Sequence, residues 1–281
     1  MRLYYYAHTG HKKGLDRLKK ATALLKKLNE KGLDTMLLVN DFRAGLVARE
    51  FGIKESINIE TIQDIDAIAK MEDAIIIDSP ENDRGRLEKY VNEFKEVFRF
   101  AQNCNDSSRY GETIIDYRDI IVDDIYFEKH KKENRVLFFL GDSDANKTIL
   151  SNKDFFKEAN MELLLGHYFY VKYENDLAKI FTKLYEAEEY IDLICSSKIV
   201  VTLSLQTALE AQISGAKVIF IDENNQEDCL KEILDNLQIL TVNGFNIKEY
   251  KHIVLNEISD CNLISKKSDI IALTILNKLI S

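Results

Sequence analysis

Short apolar runs of strand length recur along the chain, and each is followed by a longer segment whose apolar residues return at helical spacing. The first run is Leu3-Tyr4-Tyr5-Tyr6. Behind it, residues 14–32 place Leu15, Leu18, Ala21, Leu24, Leu25 and Leu28 on one helical face. Gly32 stands where a glycine commonly ends a helix. The pattern continues with a strand over 35–39, a helix near 42–51, a strand over 57–59, a helix near 61–70 and a strand over 74–78. A helix over about 83–96 leads into a strand over 97–101. Fully apolar strands alternating with helices predict a parallel sheet covered on both faces.

Between 102 and 134 the alternation breaks, and the charged run 128–134 reads as a solvated connection. It restarts with a strand over 136–141, a helix near 145–158, strands over 162–166 and 168–171, a helix near 174–188 and a short one around 191–196. A strand over 199–203, a helix over 205–214, a strand over 217–222 and helices near 225–237 and 266–280 complete the chain. The expected fold class is therefore α/β, with two Rossmann-like domains facing each other across a cleft; a single large sheet is the alternative. The domains are expected at 1–130 and 131–281, the last helix being able to pack back on the first domain. Ligands of such sheets bind beyond the carboxyl ends of the strands, so chemistry is sought in the loops that follow them.

Composition narrows the picture. With 281 residues and 46% hydrophobic content, two cores can be filled. A formal net charge of -9 argues against a nucleic-acid binder, which needs a basic surface, but leaves room for an anion site built from backbone N–H groups. No run approaches the roughly 20 apolar residues of a spanning helix. The opening MRLYYYAHTG is too short and wrongly flanked for a signal peptide. Cys104, Cys195, Cys229 and Cys261 are scattered without metal spacing and fit free thiols, hence a cytoplasmic protein.

Four loops hold candidate chemistry. The first, AHTGHKKGLDRLKK, carries His8, His11 and Arg17 at a helix start, suited to a phosphate or a leaving group. Lys19, Lys20, Lys26 and Lys27 read as the solvated face of that helix. The second ends the strand over 74–78 in Asp78, followed by Ser79, Pro80 and Glu81; Asp78 either orients a catalytic group or caps a helix, and Asp83 reads as a cap. The third is Gly141-Asp142-Ser143-Asp144, where a glycine lets the backbone approach a ligand, although the P-loop spacing is absent. The fourth is Ser204-Leu205-Gln206-Thr207 with Glu210 one turn on, suited to a diphosphate and a ribose diol. Its bland reading makes Ser204 an N-cap and Glu210 a surface residue.

These stretches, GLDRLKK (14–20), IIIDSPEN (75–82), FFLGDSD (138–144) and LSLQTALEA (203–211), resemble in order and spacing the GT-B nucleotide-sugar enzymes, most closely the UDP-sugar hydrolases of pseudaminic acid biosynthesis. The resemblance implies a UDP site at Gly141, Ser143, Ser204, Gln206, Thr207 and Glu210, and catalysis around His11, Arg17 and Asp78. It also marks departures. Arg17 stands where that family has its catalytic histidine, Ser79-Pro80 replaces a His-Tyr pair, and Gly141-Asp142 replaces a double glycine. Arg17 is permanently protonated and cannot be a base, but it can stabilise a departing diphosphate.

The expectation is an enzyme acting on a UDP-linked sugar by transfer or hydrolysis, in surface-glycan or nonulosonic-acid metabolism. The nucleotide sugar is its small-molecule partner and substrate, with no separate cofactor and no metal. The alternative is a binding or scaffold protein of the same fold without catalysis. A dinucleotide oxidoreductase is disfavoured because no GxGxxG follows any strand.

Overall fold

The computed structural model describes residues 1–169, 174–223, 228–255 and 266–280. The chain divides into two compact units, Met1–Asp123 with Lys266–Ser281 and Asp124–Ser265.

Among the described residues, the first unit holds β1 (Leu3–Ala7), β2 (Thr35–Val39), β3 (Ser56–Asn58), β4 (Ala74–Asp78), β5 (Glu96–Phe100) and β6 (Thr113–Ile115). They form one sheet in the order β3-β2-β1-β4-β5-β6, every pairing parallel. Successive strand side chains alternate between faces, so β1 sends Tyr4 and Tyr6 to one side and Leu3 and Tyr5 to the other. Tyr4 and Tyr6 join Ile75, Ile77, Leu87 and Tyr90 in a core closed by α3 (Arg86–Glu93) and the 3-10 turn Ile62–Ala67. Helix α1 (Asp16–Glu30) packs on β1 and β2, burying the expected Leu18, Ala21, Leu24, Leu25 and Leu28. It stops at Lys31, and Gly32 follows at φ 84°. Helix α2 (Phe42–Glu50) is capped by Asp41, whose side chain accepts the Arg43 N–H. The C-terminal helix Lys267–Ile280 packs against α1, and its Ser268 hydroxyl donates to the Val122 carbonyl at 3.0 Å.

The second unit holds β7 (Glu133–Phe139), α4 (Thr148–Ser151), α5 (Lys153–Ala159), β8 (Glu162–Leu164), α6 (Glu174–Leu177), β9 (Leu184–Tyr185) and α7 (Tyr190–Ser196). It continues with β10 (Ser197–Thr202), α8 (Leu205–Ile213), β11 (Lys217–Asp222), α9 (Asp228–Asn236), β12 (Leu240–Asn243) and α10 (Ile247–Leu255). Its sheet runs β12-β11-β10-β7-β8-β9, again all parallel. Phe138, Phe155, Phe156 and Phe181 fill one face as an aromatic cluster, with Phe138 and Phe156 centroids 4.7 Å apart. In each sheet the strand order reverses once, between β1 and β4 and between β7 and β10. Those two switch points are where open α/β sheets leave a crevice for ligand.

Several expectations are corrected. The helix expected near 145–158 is two helices, because Lys147 is left-handed at φ 55° and Asn152 leaves helical geometry. Only the first turn of the helix expected over 174–188 forms. Leu184 and Tyr185 pair with β8 as an edge strand instead, and the Tyr185 hydroxyl donates to Glu162 at 2.7 Å. Of the strand expected over 168–171, Tyr168 and Phe169 bend away after β8, and 170–171 lie outside the described residues. Residues 225–227 of the helix expected near 225–237 also lie outside them. The charged run 128–134 is not a free spacer, since β7 starts at Glu133 and Lys132 reaches into the unit. Strand β12 and helix α10 were not foreseen. Cys195 is a free buried thiol, whereas Cys104 and Cys229 are disulfide-bonded, which departs from an expectation of free thiols. Among the described residues, no helix is long and apolar enough to cross a membrane.

Candidate functional site

The first unit's crevice is built by the loops after β1 and β4. The loop after β1 closes on itself, with Lys13 and Gly14 N–H groups both donating to the Gly10 carbonyl at 2.9 Å. Gly10 (φ 136°) and Gly14 (φ 71°) allow that turn, which a β-carbon would strain. His11 stands at its tip, while His8 and Arg17 sit on either side of it. Asp78 ends β4 almost completely buried, at 1% exposure, and gathers three partners. Arg17 Nε lies 3.2 Å from its Oδ1, Lys20 Nζ 2.7 Å from its Oδ2, and the Tyr5 hydroxyl donates to Oδ2 at 3.2 Å. Arg17 also donates to Gln102 Oε1 at 3.1 Å, and Lys20 sits over the Phe100 ring at 4.1 Å. Burial, with the Asp78 carboxylate alongside, drives the Tyr5 phenol well above its ordinary pKa. Asp78 is therefore the anchor of a cationic cluster.

The reading of the α1 lysines as a solvated face does not hold. Lys20 belongs to the Asp78 cluster, Lys26 pairs with Asp123, and Lys19 and Lys27 are buried.

Next to this cluster Glu81, whose role sequence reasoning missed, joins the candidate His8 in a second group. Glu81 accepts from the Tyr6 hydroxyl at 2.6 Å and the Ser79 hydroxyl at 2.9 Å, both on Oε2. Its Oε1 faces His8 Nε2 at 3.9 Å. His8 Nδ1 is buried without a hydrogen-bond partner. Burial lowers the His8 pKa, Arg17 and Lys13 add to that, and Glu81 and Asp78 oppose it. The signal available in sequence was a carboxylate three residues beyond Asp78, in a loop already singled out. A cavity of about 70 Å³ continues from here, lined by Ser79, Glu81, Asp83, Gln102 and Arg109 among others. Asp83 does not cap α3 directly; its carboxylate accepts the Gly85 N–H at 2.7 Å, and the left-handed Gly85 precedes the helix.

The second unit's crevice lies between the loops after β7 and β10, which emerge side by side because Phe139 pairs with Thr202. Gly141 turns at φ 148°. Asp142 is buried beside His167 Nδ1 at 3.4 Å, and its backbone lies so close to Gly166 that an added β-carbon would meet it at 2.4 Å. Ser143 Oγ is buried without a hydrogen-bond partner. Asp144 caps α4, accepting the Thr148 N–H at 2.6 Å and the Ile149 N–H at 3.2 Å.

Helix α8 opens at Ser204, whose Oγ accepts the Thr207 N–H at 3.0 Å, the N-cap reading of that residue. The Thr207 hydroxyl lies 2.7 Å from the Tyr190 hydroxyl. Glu210, expected either at the surface or open to a ribose, is buried at 2% exposure. Tyr190 donates to its Oε2 at 2.7 Å and Gln206 Nε2 to its Oε1 at 2.8 Å. Burial first, then the Glu210 carboxylate, push the Tyr190 phenol well above its ordinary value. The carboxylate thus orients Gln206 and Tyr190. Nothing in the sequence pointed to Tyr190. Among the described residues, no group of three or more His, Cys, Asp or Glu is placed to hold a metal ion.

No protein-family model and no curated protein matches the chain. Solved structures do. A UDP-GlcNAc 2-epimerase of Methanocaldococcus jannaschii, in complex with UDP-GlcNAc and UDP, superposes with a TM-score of 0.60 at 12% identity over 99% of both chains. The UDP-GlcNAc 2-epimerase of Neisseria meningitidis bound to UDP-GlcNAc gives 0.58 at 13% identity over 99% of this chain and 100% of its own. A glycosyltransferase from Streptomyces nogalater gives 0.54 at 11% identity over 100% and 95%. The chain has a GT-B-like fold. Identities this low carry the architecture alone.

Proposed function

We propose that the chain acts on a UDP-linked sugar, by glycosyl transfer or hydrolysis. The nucleotide is assigned to the crevice of the second unit. The observation that carries this reading is the Ser143 hydroxyl, buried without a partner at the switch point between β7 and β10. Buried hydroxyls normally find partners, so an unmatched one in the loop after β7 fits a phosphate oxygen. The glycine turn at Gly141 lets the backbone approach the same place. Gln206, held by Glu210, lies in the first turn of α8 on this side of the sheet. That the fold recurs in proteins whose structures hold UDP or UDP-GlcNAc supports the reading by analogy.

Calorimetry with UDP, UMP and uridine tests the nucleotide site. UDP is expected to bind more tightly than uridine, and equal or absent binding would overturn the assignment. Incubation with UDP-sugars then tests chemistry, through release of UDP. A second reading, a binding protein without turnover, is favoured by one observation. Arg17 and Asp78, the pair expected to act on substrate, are closed on each other and on Lys20. Nucleotide binding with no product from any UDP-sugar, with or without acceptor, would support it.

A further inference from the structure

We propose that Lys132 is an acylation site, whose amine takes a small acyl group from an activated donor, an acyl phosphate or an acyl thioester. The residue immediately precedes β7, at the end of that strand remote from the crevice, and the proposed nucleotide chemistry does not use it. Its side chain is half-buried against the ends of two helices. Nζ donates to the Cys195 carbonyl, in the last turn of α7, at 2.7 Å, and to the Ser214 hydroxyl, just past α8, at 3.1 Å. The Ser214 hydrogen is itself directed to the carbonyls of Ala211 at 2.9 Å and Ile194 at 3.2 Å, so toward the amine that hydroxyl only accepts.

Two acceptors match the two hydrogens of a neutral amine and leave its lone pair unengaged. A protonated amine carries a third N–H, for which no described residue supplies an acceptor. Among the described residues no carboxylate faces it either. The one titratable group that does is the Cys195 thiol, which burial pushes up to about 12 and so keeps protonated. Burial without a counter-charge lowers the Lys132 pKa to about 8 from an ordinary 10.5. Gly215 presents no side chain beside the lysine stem, where a β-carbon would lie 3.8 Å from Cε. An amide in place of the amine keeps one N–H for the Cys195 carbonyl and removes the charge that burial disfavours. In the step itself, the Nζ lone pair attacks the carbonyl carbon of the donor and an N–C bond forms. The C–O bond to phosphate, or the C–S bond to thiolate, breaks and the leaving group departs with its electron pair. The amine proton passes to solvent.

The test incubates the full chain briefly with acetyl phosphate in one arm and an acetyl thioester in the other, from about pH 6 to 10.5. Acetylation of each lysine is followed by peptide mass spectrometry, and Lys132→Arg identifies the Lys132 peptide by its loss. At neutral pH, Lys132 is expected to react roughly tenfold faster than the exposed Lys54 and Lys153, a preference that disappears in concentrated urea. Its rate should level off above about pH 8 while theirs continue to rise. A preference in one arm alone names the donor class. If Lys132 reacts no faster than Lys54 and Lys153 in either arm, or its rate climbs alongside theirs across the whole alkaline range, the site is overturned. A preference that survives in urea overturns it as well, since the reactivity then belongs to the local sequence and not to the seat made by Cys195 and Ser214.

Discussion

The two crevices occupy the same place in the same topology and are furnished in opposite ways. In the first unit the switch point is crowded with charge: Asp78 against Arg17 and Lys20, and Glu81 against His8. In the second, a glycine turn, an unmatched hydroxyl and the start of a helix stand beside carboxylates that are already engaged: Asp142 faces His167, Asp144 caps α4, and the one carboxylate of α8 is turned inward onto Tyr190 and Gln206. Fixed dipoles hold an anion without titrating, whereas charged side chains can move protons. The contrast sets fixed dipoles at one switch point against titratable side chains at the other.

The largest effect is expected where the charge is most deeply anchored. Asp78→Ala leaves Arg17 and Lys20 side by side without their counter-charge and deprives the Tyr5 hydroxyl of its acceptor. Breaking a buried pair on one side costs about 3 kcal/mol or more. Urea unfolding should show a loss of that order. A loss below about 1 kcal/mol, the range of exposed pairs, would mean that the cluster is an ordinary surface one. The first crevice would then lose its claim to be preorganised.

Glu210 gives the matching test in the second unit. Glu210→Ala removes acceptors from Tyr190 and Gln206, at a cost on the order of 2 kcal/mol, while Glu210→Gln keeps one acceptor and should cost less. Because the carboxylate acts through Gln206, UDP and 2′,3′-dideoxy-UDP should lose affinity to the same extent in Glu210→Ala. A loss confined to UDP would show that the carboxylate meets the ribose diol directly. The second crevice would then use a charged side chain toward its ligand.

What the sequence disclosed follows the same division. Apolar runs such as Leu3-Tyr4-Tyr5-Tyr6 and the strand over 74–78 are long enough to declare their burial, and the loops after them were located correctly in the chain. Side-chain partnerships within those loops were not legible. Lys20 and Lys26 share one lysine-rich helix surface, and only the position of Asp78 at the end of β4 makes Lys20 different. Tyr190 reaches Glu210 from a separate helix, a pairing no local spacing encodes. Edge elements were lost for a related reason: β9 is two residues long, and it is strand only because β8 offers it a partner.

Two serines in the second crevice separate stability from binding at a smaller scale. Ser204→Ala removes an N-cap and should cost about 1 kcal/mol of stability. Ser143→Ala removes a hydroxyl that bonds to nothing, so stability should stay level or rise slightly. If the hydroxyl meets a phosphate, the same change should weaken UDP about tenfold, as expected for one hydrogen bond to a charged group. Unchanged UDP affinity in Ser143→Ala would take away the observation on which the nucleotide assignment rests.

The last comparison concerns pH, and it places the two units in different windows. Lys132 immediately precedes β7, at the opposite end of that strand from the crevice. Its amine donates to the Cys195 carbonyl at 2.7 Å and to Ser214 at 3.1 Å. Burial lowers its pKa to about 8 from an ordinary 10.5. Between those values the unfolded chain holds the proton that the folded chain has released, so unfolding free energy rises with pH across that window. Below about 8 both states are protonated and the slope vanishes. His8 carries the same sign in the first unit, its slope lying below its ordinary 6.5. Urea midpoints measured from pH 5 to 10.5 should therefore show two rises. Lys132→Met should remove the alkaline one and His8→Asn the acidic one, each leaving the other in place. If either variant flattens both, the titrations are coupled, and proton uptake near the first crevice is not a property of that unit alone.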